Sequence, residues 1–163
     1  MGDPTPRVNL SIAARLWFRI RLALVLGMLA IPLPAAAALG GDISTIATDQ
    51  QQIRGTLRVS STARYAIHEI QGPTSTTVRE YVSPAGQVFG IAWRGPFMPD
   101  LRQVLGDKFD TYVGAMANRR VKGPVLIDLP GLVVHASGRM RNFSGRAYVP
   151  GLVPEGVAPE EIQ

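Results

Sequence analysis

A chain of 163 residues has room for one domain, or for one domain behind a leader. Its apolar fraction of 46% excludes wholesale disorder, and the absence of cysteine excludes disulfides, thiol nucleophiles, cysteine metal sites and a lipid-modified bacterial amino terminus. The net charge of +5 suggests a polyanion partner, but Arg7, Arg15, Arg19 and Arg21 against Asp3 alone place +3 of it in the first 38 residues, and the other 125 are nearly balanced.

Residues 1–21 form a positive segment ending in Arg19-Ile-Arg21, followed by the apolar run Leu22 to Ile31. Pro32-Leu33-Pro34 stops any helix, and Ala35-Ala36-Ala37-Ala38 offers the small side chains that a signal peptidase accepts. Crossing a bilayer takes about 20 apolar residues, and this run has half that number. The order of charge, short apolar stretch, breaker and small residues predicts a secretory signal over 1–38, cleaved after Ala38. The product is one periplasmic or secreted domain, 39–163, with no membrane span after cleavage.

In the mature chain, Asp42 is placed to cap a short helix reaching about Ile53 and stopped by Gly55. Strand patterns follow at Leu57-Arg58-Val59, Arg64 to Gln71, Thr76 to Ser83 and Gln87 to Arg94. Short loops make the last three antiparallel neighbours, and Ser83-Pro84-Ala85-Gly86 has the residues of a type I turn. Period two places Phe89, Ile91 and Trp93 on one buried face. Pro99-Asp100 opens a long amphipathic helix, with Leu101, Val104, Leu105, Phe109, Tyr112, Val113 and Met116 on one stripe and Arg102, Gln103, Asp107, Asp110 and Thr111 opposite. Strands resume at Pro124 to Leu129, Leu132 to Ala136 and Arg139 to Val149, and Pro159-Glu160-Glu161 forms at most a final helical turn. The expected fold is α+β: an antiparallel sheet of about five to six strands, meander then hairpin, covered on one face by one long helix.

Candidate chemistry is sparse. His68 and Glu69 are adjacent on a strand and point to opposite faces, so His68 needs a cross-strand partner such as Glu80 to act as a base. With residues 72–75 as the hairpin loop, His68 faces Arg79 instead. His135 sits in an apolar strand, where a core or edge histidine is the default. Two histidines without cysteine disfavour zinc, no serine lies in a G-x-S-x-G context, and no phosphate-loop pattern or cofactor motif is present. Arg139, Arg141, Arg146 and Tyr148 make the last strand basic and aromatic. Period two divides them: Arg139 and Arg141 with Phe143 on one face, Arg146 and Tyr148 on the other.

The stretches YAIHEI (Tyr65–Ile70), VREYVSPAG (Val78–Gly86), AWRGP (Ala92–Pro96), MPDL (Met98–Leu101) and FSGRAYVP (Phe143–Pro150) resemble a family of small exported proteobacterial proteins filed only as a domain of unknown function. The resemblance spans the mature chain from Leu39-Gly40-Gly41 and implies export and one domain, with no activity, cofactor or catalytic residue. The sequence therefore predicts a non-catalytic envelope accessory or binding module. Its partner would be another envelope protein or an anionic envelope component, with nucleic acid improbable for an exported chain. The alternative is a small periplasmic hydrolase using His68 with Glu69 or Glu80.

Overall fold

Seven runs of alternating and β-branched residues become strands: β1 (Thr56–Ser61), β2 (Ala66–Gln71), β3 (Thr77–Val82), β4 (Val88–Gly95), β5 (Val125–Leu129), β6 (Leu132–Arg139) and β7 (Asn142–Tyr148). The computed structural model describes residues 39–117, 119–120 and 123–163, and the expected signal over 1–38 lies outside the described residues. All seven strands join one sheet in the order β1-β2-β3-β4-β7-β6-β5, with every neighbouring pair antiparallel. The α+β class and the meander stand as expected. The strand number is seven rather than five to six, because Thr56–Ser61 pairs along its full length with β2.

Ser83-Pro84-Ala85-Gly86 closes as a turn, the Gly86 N–H donating to the Ser83 carbonyl at 2.9 Å. After β4 the chain crosses to the far edge and returns through two hairpins, so β7 rather than β5 pairs with β4. The second of these turns differs from expectation. β6 continues through Ser137-Gly138 to Arg139, which pairs with Asn142, and the turn falls on Met140-Arg141, with Arg141 at φ 60°. Arg139 and Arg141 consequently occupy a hairpin tip and do not share a strand face with Phe143.

Three α-helices are present among the described residues: α1 (Ile46–Ile53), α2 (Leu101–Leu105) and α3 (Phe109–Ala117). Asp42 caps the 3-10 turn that leads into α1, accepting from the Ser44 N–H at 2.8 Å. Asp100 caps α2 through the amides of Arg102 and Gln103. The single long helix is broken at Gly106, whose φ of 49° and ψ of −124° suit a residue without Cβ. A 3-10 turn, Gly106–Lys108, separates α2 from α3. The break rotates the stripe, so Val113 is 46% exposed while Val104 and Leu105 are buried.

Apolar residues fill both faces of the sheet, not one. The larger core joins Ile70, Val78, Val82, Ile91, Trp93, Val134 and Ala147 to Leu39, Ile46, Val104 and Leu105 from the amino-terminal segment and the helices. On the other face Tyr81, Phe89 and Ala92 pack under Val157 and Ile162 of the last fourteen residues. A bulge makes this second core possible. Val88 pairs with Val82 and Gly90 with Tyr81, leaving Phe89 as an extra residue in β4. Phe89 thereby turns away from Ile91 and Trp93, correcting the period-two expectation, and meets Tyr65 and Tyr81 at ring-centroid distances of 5.9 and 6.2 Å.

The closest approach in the sheet is Gly145 beside Trp93, its cross-strand partner. A Cβ at 145 would lie 2.6 Å from Trp93 Cε2 and 2.8 Å from Ala136 Cβ, inside van der Waals contact. Gly145→Ala should therefore destabilise the fold by about 1–3 kcal/mol, read as a lower urea midpoint, whereas Gly151→Ala, with nothing near its Cβ, should leave the midpoint unchanged.

Candidate functional site

The β2–β3 register decides the fate of the His68 candidates. The loop has five residues, 72–76, because Gln71 pairs with Thr77. Thr76 turns inward, with its Oγ1 donating to the Phe97 carbonyl at 3.0 Å. The extra loop residue places His68 opposite Glu80 and Glu69 opposite Arg79, which corrects the expected pairing of His68 with Arg79. Glu69 lies on the other face of the sheet, in an ion pair with Arg79 at 2.7 Å.

Glu80 turns out to belong with a different residue. Asp49, on the sheet-facing side of α1, shares a hydrogen bond with it, and neither side chain has any exposed surface. Gln103 of α2 donates its Nε2 to Asp49 Oδ1 at 3.0 Å. Burial in this apolar surround pushes the Glu80 carboxyl up to about 9, helped by the Asp49 charge beside it. Burial also raises Asp49, opposed by the bonds from Glu80 and Gln103. At neutral pH Glu80 therefore keeps its proton and donates it to Asp49. This accounts for Asp49 Oδ2 and the protonated Glu80 oxygen, and leaves the other Glu80 oxygen without a partner among the described residues.

His68 borders the pair without joining it. The ring is 9% exposed and burial pushes it below its ordinary value, with no contribution from Glu80. Its buried Nδ1 has no hydrogen-bond partner among the described residues. The three groups thus form a proton-sharing carboxyl pair with a desolvated imidazole alongside, rather than a His–carboxylate base. Substrate can reach the pair only if α1 lifts from the sheet. No group of three or more His, Cys, Asp or Glu side chains among the described residues is placed to hold a metal ion.

The basic candidates are also redistributed. Arg146 points to the face covered by the carboxy-terminal segment, donating to the Pro159 carbonyl at 3.0 Å and to His135 Nδ1 at 3.4 Å. Tyr148 packs beside the second core. Around Arg146, His135, Arg94, Ser137, Ser144 and Glu160 runs a groove of about 350 Å³. The Arg139 and Arg141 side chains are exposed and make no hydrogen bond or ion pair among the described residues. Met140 between them is 92% exposed.

Asp49 and Gln103 are the residues that the sequence reading missed. Asp49 follows Ile46 by three and precedes Ile53 by four, so it occupies the apolar stripe of its own helix. A carboxylate at that position was the available signal. Gln103 carried none, since the break at Gly106 alters which side chains α2 presents.

The acid pair gives a defined pH response. A Glu80 carboxyl at about 9 when folded and 4.5 when unfolded means that the folded state holds a proton which the unfolded state has released. Stability should fall as pH rises through that window, by up to about 1.4 kcal/mol per unit for one proton. His68 acts oppositely: held below its ordinary 6.5, it should reduce stability as pH falls beneath that value. Urea midpoints should therefore fall from pH 6.5 to 9 and level off between pH 5 and 6.5, where the two groups oppose one another; Glu80→Gln should remove the fall, and His68→Gln should let the rise toward acid continue to pH 5. Asp49→Ala, which leaves Glu80 without its acceptor, should cost about 2–4 kcal/mol at pH 7.

Comparison with curated proteins found no match, and comparison with solved structures found none. A family model does match, over residues 35–162. That span takes in every strand and helix described above, including Asp49, Glu80 and the Arg139–Arg141 tip. The chain belongs to the family described as "Protein of unknown function (DUF2844)".

Proposed function

We propose that residues 39–163 work outside the cytoplasm, after removal of the leader, as a non-catalytic module that binds an envelope component. The observation that carries this reading is the contrast between the two groups of charged residues. The acid–base groups His68, Asp49 and Glu80 are buried on the α1 side of the sheet, where the Asp49–Glu80 pair fastens helix to strand. The cations Arg139 and Arg141 stand in solvent at a hairpin tip. Buried groups are closed to a partner, whereas exposed cations beside an exposed methionine suit recognition of an anionic one.

The leader pattern of residues 1–38 supports export, with its positive segment, ten-residue apolar run and alanines. Among the described residues, no helix is long and apolar enough to cross a membrane.

Fractionating the producing cell and measuring the intact mass of the recovered protein tests this reading. The expected product is a periplasmic or external species that begins at Leu39; a membrane-bound species that retains residues 1–38 would overturn it. His68→Ala separates binding from hydrolysis. A lowered urea midpoint is the expected result, and loss of a measurable turnover with unchanged stability would favour the hydrolase alternative.

A further inference from the structure

The strand register collects three loops at one end of the sheet. β4 ends at Gly95, opposite Phe143, and β6 ends at Arg139, opposite Asn142, so the Pro96–Pro99 segment and the Met140-Arg141 turn emerge side by side. The β2–β3 loop emerges there too, since Thr77 pairs with Arg94. Thr76 ties it to the Phe97 carbonyl. Three large apolar side chains are left in solvent at this end: Phe97 at 52%, Met98 at 42% and Met140 at 92% exposed.

Cations surround them. Arg139 and Arg141 flank Met140, Arg94 is exposed one residue before the end of β4, and Arg119 reaches the Gly123 and Pro124 carbonyls at the entry to β5. Of the carboxylates here, Asp100 is engaged by the Arg102 and Gln103 amides as the cap of α2, and Glu160 lies in the groove beside Arg94 and Ser144. Other carboxylates lie at the opposite end. Asp42 bridges to Gln87, Asp128 precedes the β5–β6 turn, and Glu161 accepts from Tyr65 at the β1–β2 loop. Cations lie there too, Arg64 beside Gly156 and Lys108 beside Gly40, so the Met140 end is set apart by exposed arginines next to exposed apolar tips rather than by net charge.

We propose that this end of the sheet docks on an anionic phospholipid bilayer, with Met140, Phe97 and Met98 entering the headgroup layer and the arginines lying on the lipid phosphates. The inference rests on the binding-module reading above and names its partner. A flat anionic surface meets all three loops at once, whereas a single small anion would reach only one or two of the arginines. Exposed apolar tips ringed by cations are the combination that interfacial binding requires: apolar area to bury, and charge to attract it. Contacts of this kind weaken with ionic strength, because the attraction decays within a Debye length.

The test uses the form of the protein recovered from the producing cell, sedimented with vesicles of phosphatidylcholine alone and with phosphatidylglycerol added. Binding should appear on the anionic vesicles, fall with added salt, and weaken about fivefold for each of Arg139→Ala and Arg141→Ala. Met140→Asp should weaken it further, with all three variants keeping the wild-type urea midpoint. Equal partition onto both vesicle types, or partition that none of the three variants changes, would overturn the proposal. So would crosslinking of the tip to an envelope protein by a domain that ignores vesicles. The mass of the amino terminus reports separately: a species starting at Leu39 that ignores vesicles leaves export standing without the bilayer, and a species retaining 1–38 whose binding still depends on the tip does the reverse.

Discussion

Two carboxyl groups with no exposed surface cannot both be ionised, and much of the arrangement follows from that. Desolvating one carboxylate is costly; desolvating two side by side without a counter-ion is far more so. Asp49 and Glu80 avoid this by keeping one proton between them, with Gln103 completing the set. Three elements meet at the pair: Asp49 arrives on α1, Glu80 on β3 and Gln103 on α2. Apolar contacts such as Ile46 and Val104 press the same elements together but without direction. The hydrogen bonds fix the rotation of α1 and its position along the sheet, because a turn of the helix in either sense would strand a carboxyl in an apolar core.

The second constraint is the bulge at Phe89. Without it, β4 would send Phe89 to the helix side beside Ile91, leaving Tyr81 and Tyr65 with little to pack against. With it, three aromatic rings cluster on the opposite face, and the carboxy-terminal segment has somewhere to lie. That segment is then tied by polar contacts: Tyr81 donates its hydroxyl to the Gln163 carbonyl at 2.9 Å, and Tyr65 donates to Glu161 at the same distance. One inserted residue thus converts an edge-to-edge meander into a sheet covered on both sides.

Local chemistry made much of the architecture legible. The Pro-Ala-Gly turn at 84–86, the Asp42 cap and the short loops of the meander all appear where their residues place them, whereas Pro99, expected in the first turn of its helix, lies before the Asp100 cap. What stayed hidden depends on counting across an element. A loop of five residues instead of four moves His68 from Arg79 to Glu80. A bulge moves Phe89 from one core to the other, and a turn three residues later than Ser137-Gly138 carries Arg139 and Arg141 to a hairpin tip. Each error is a slip of one or three positions, and in a sheet of period two an odd slip exchanges inside for outside. The candidate site suffered most, because Asp49 and Glu80 lie 31 residues apart and only the docking of α1 unites them.

Leu39 carries a consequence for the order of events in biogenesis. Its side chain is 1% exposed, its N–H donates to the Val104 carbonyl at 3.2 Å, and Gly40 and Gly41 lace onto Val88. A peptidase that cuts after Ala38 must draw the chain on both sides of the bond into an extended shape, and residues on the far side are here locked into the domain. On the proposed cleavage after Ala38, processing would run ahead of folding. The freed ammonium group would afterwards settle on the carbonyl end of α2, where a positive charge is favoured. The finished amino terminus would be held by the same contacts that close off the scission point.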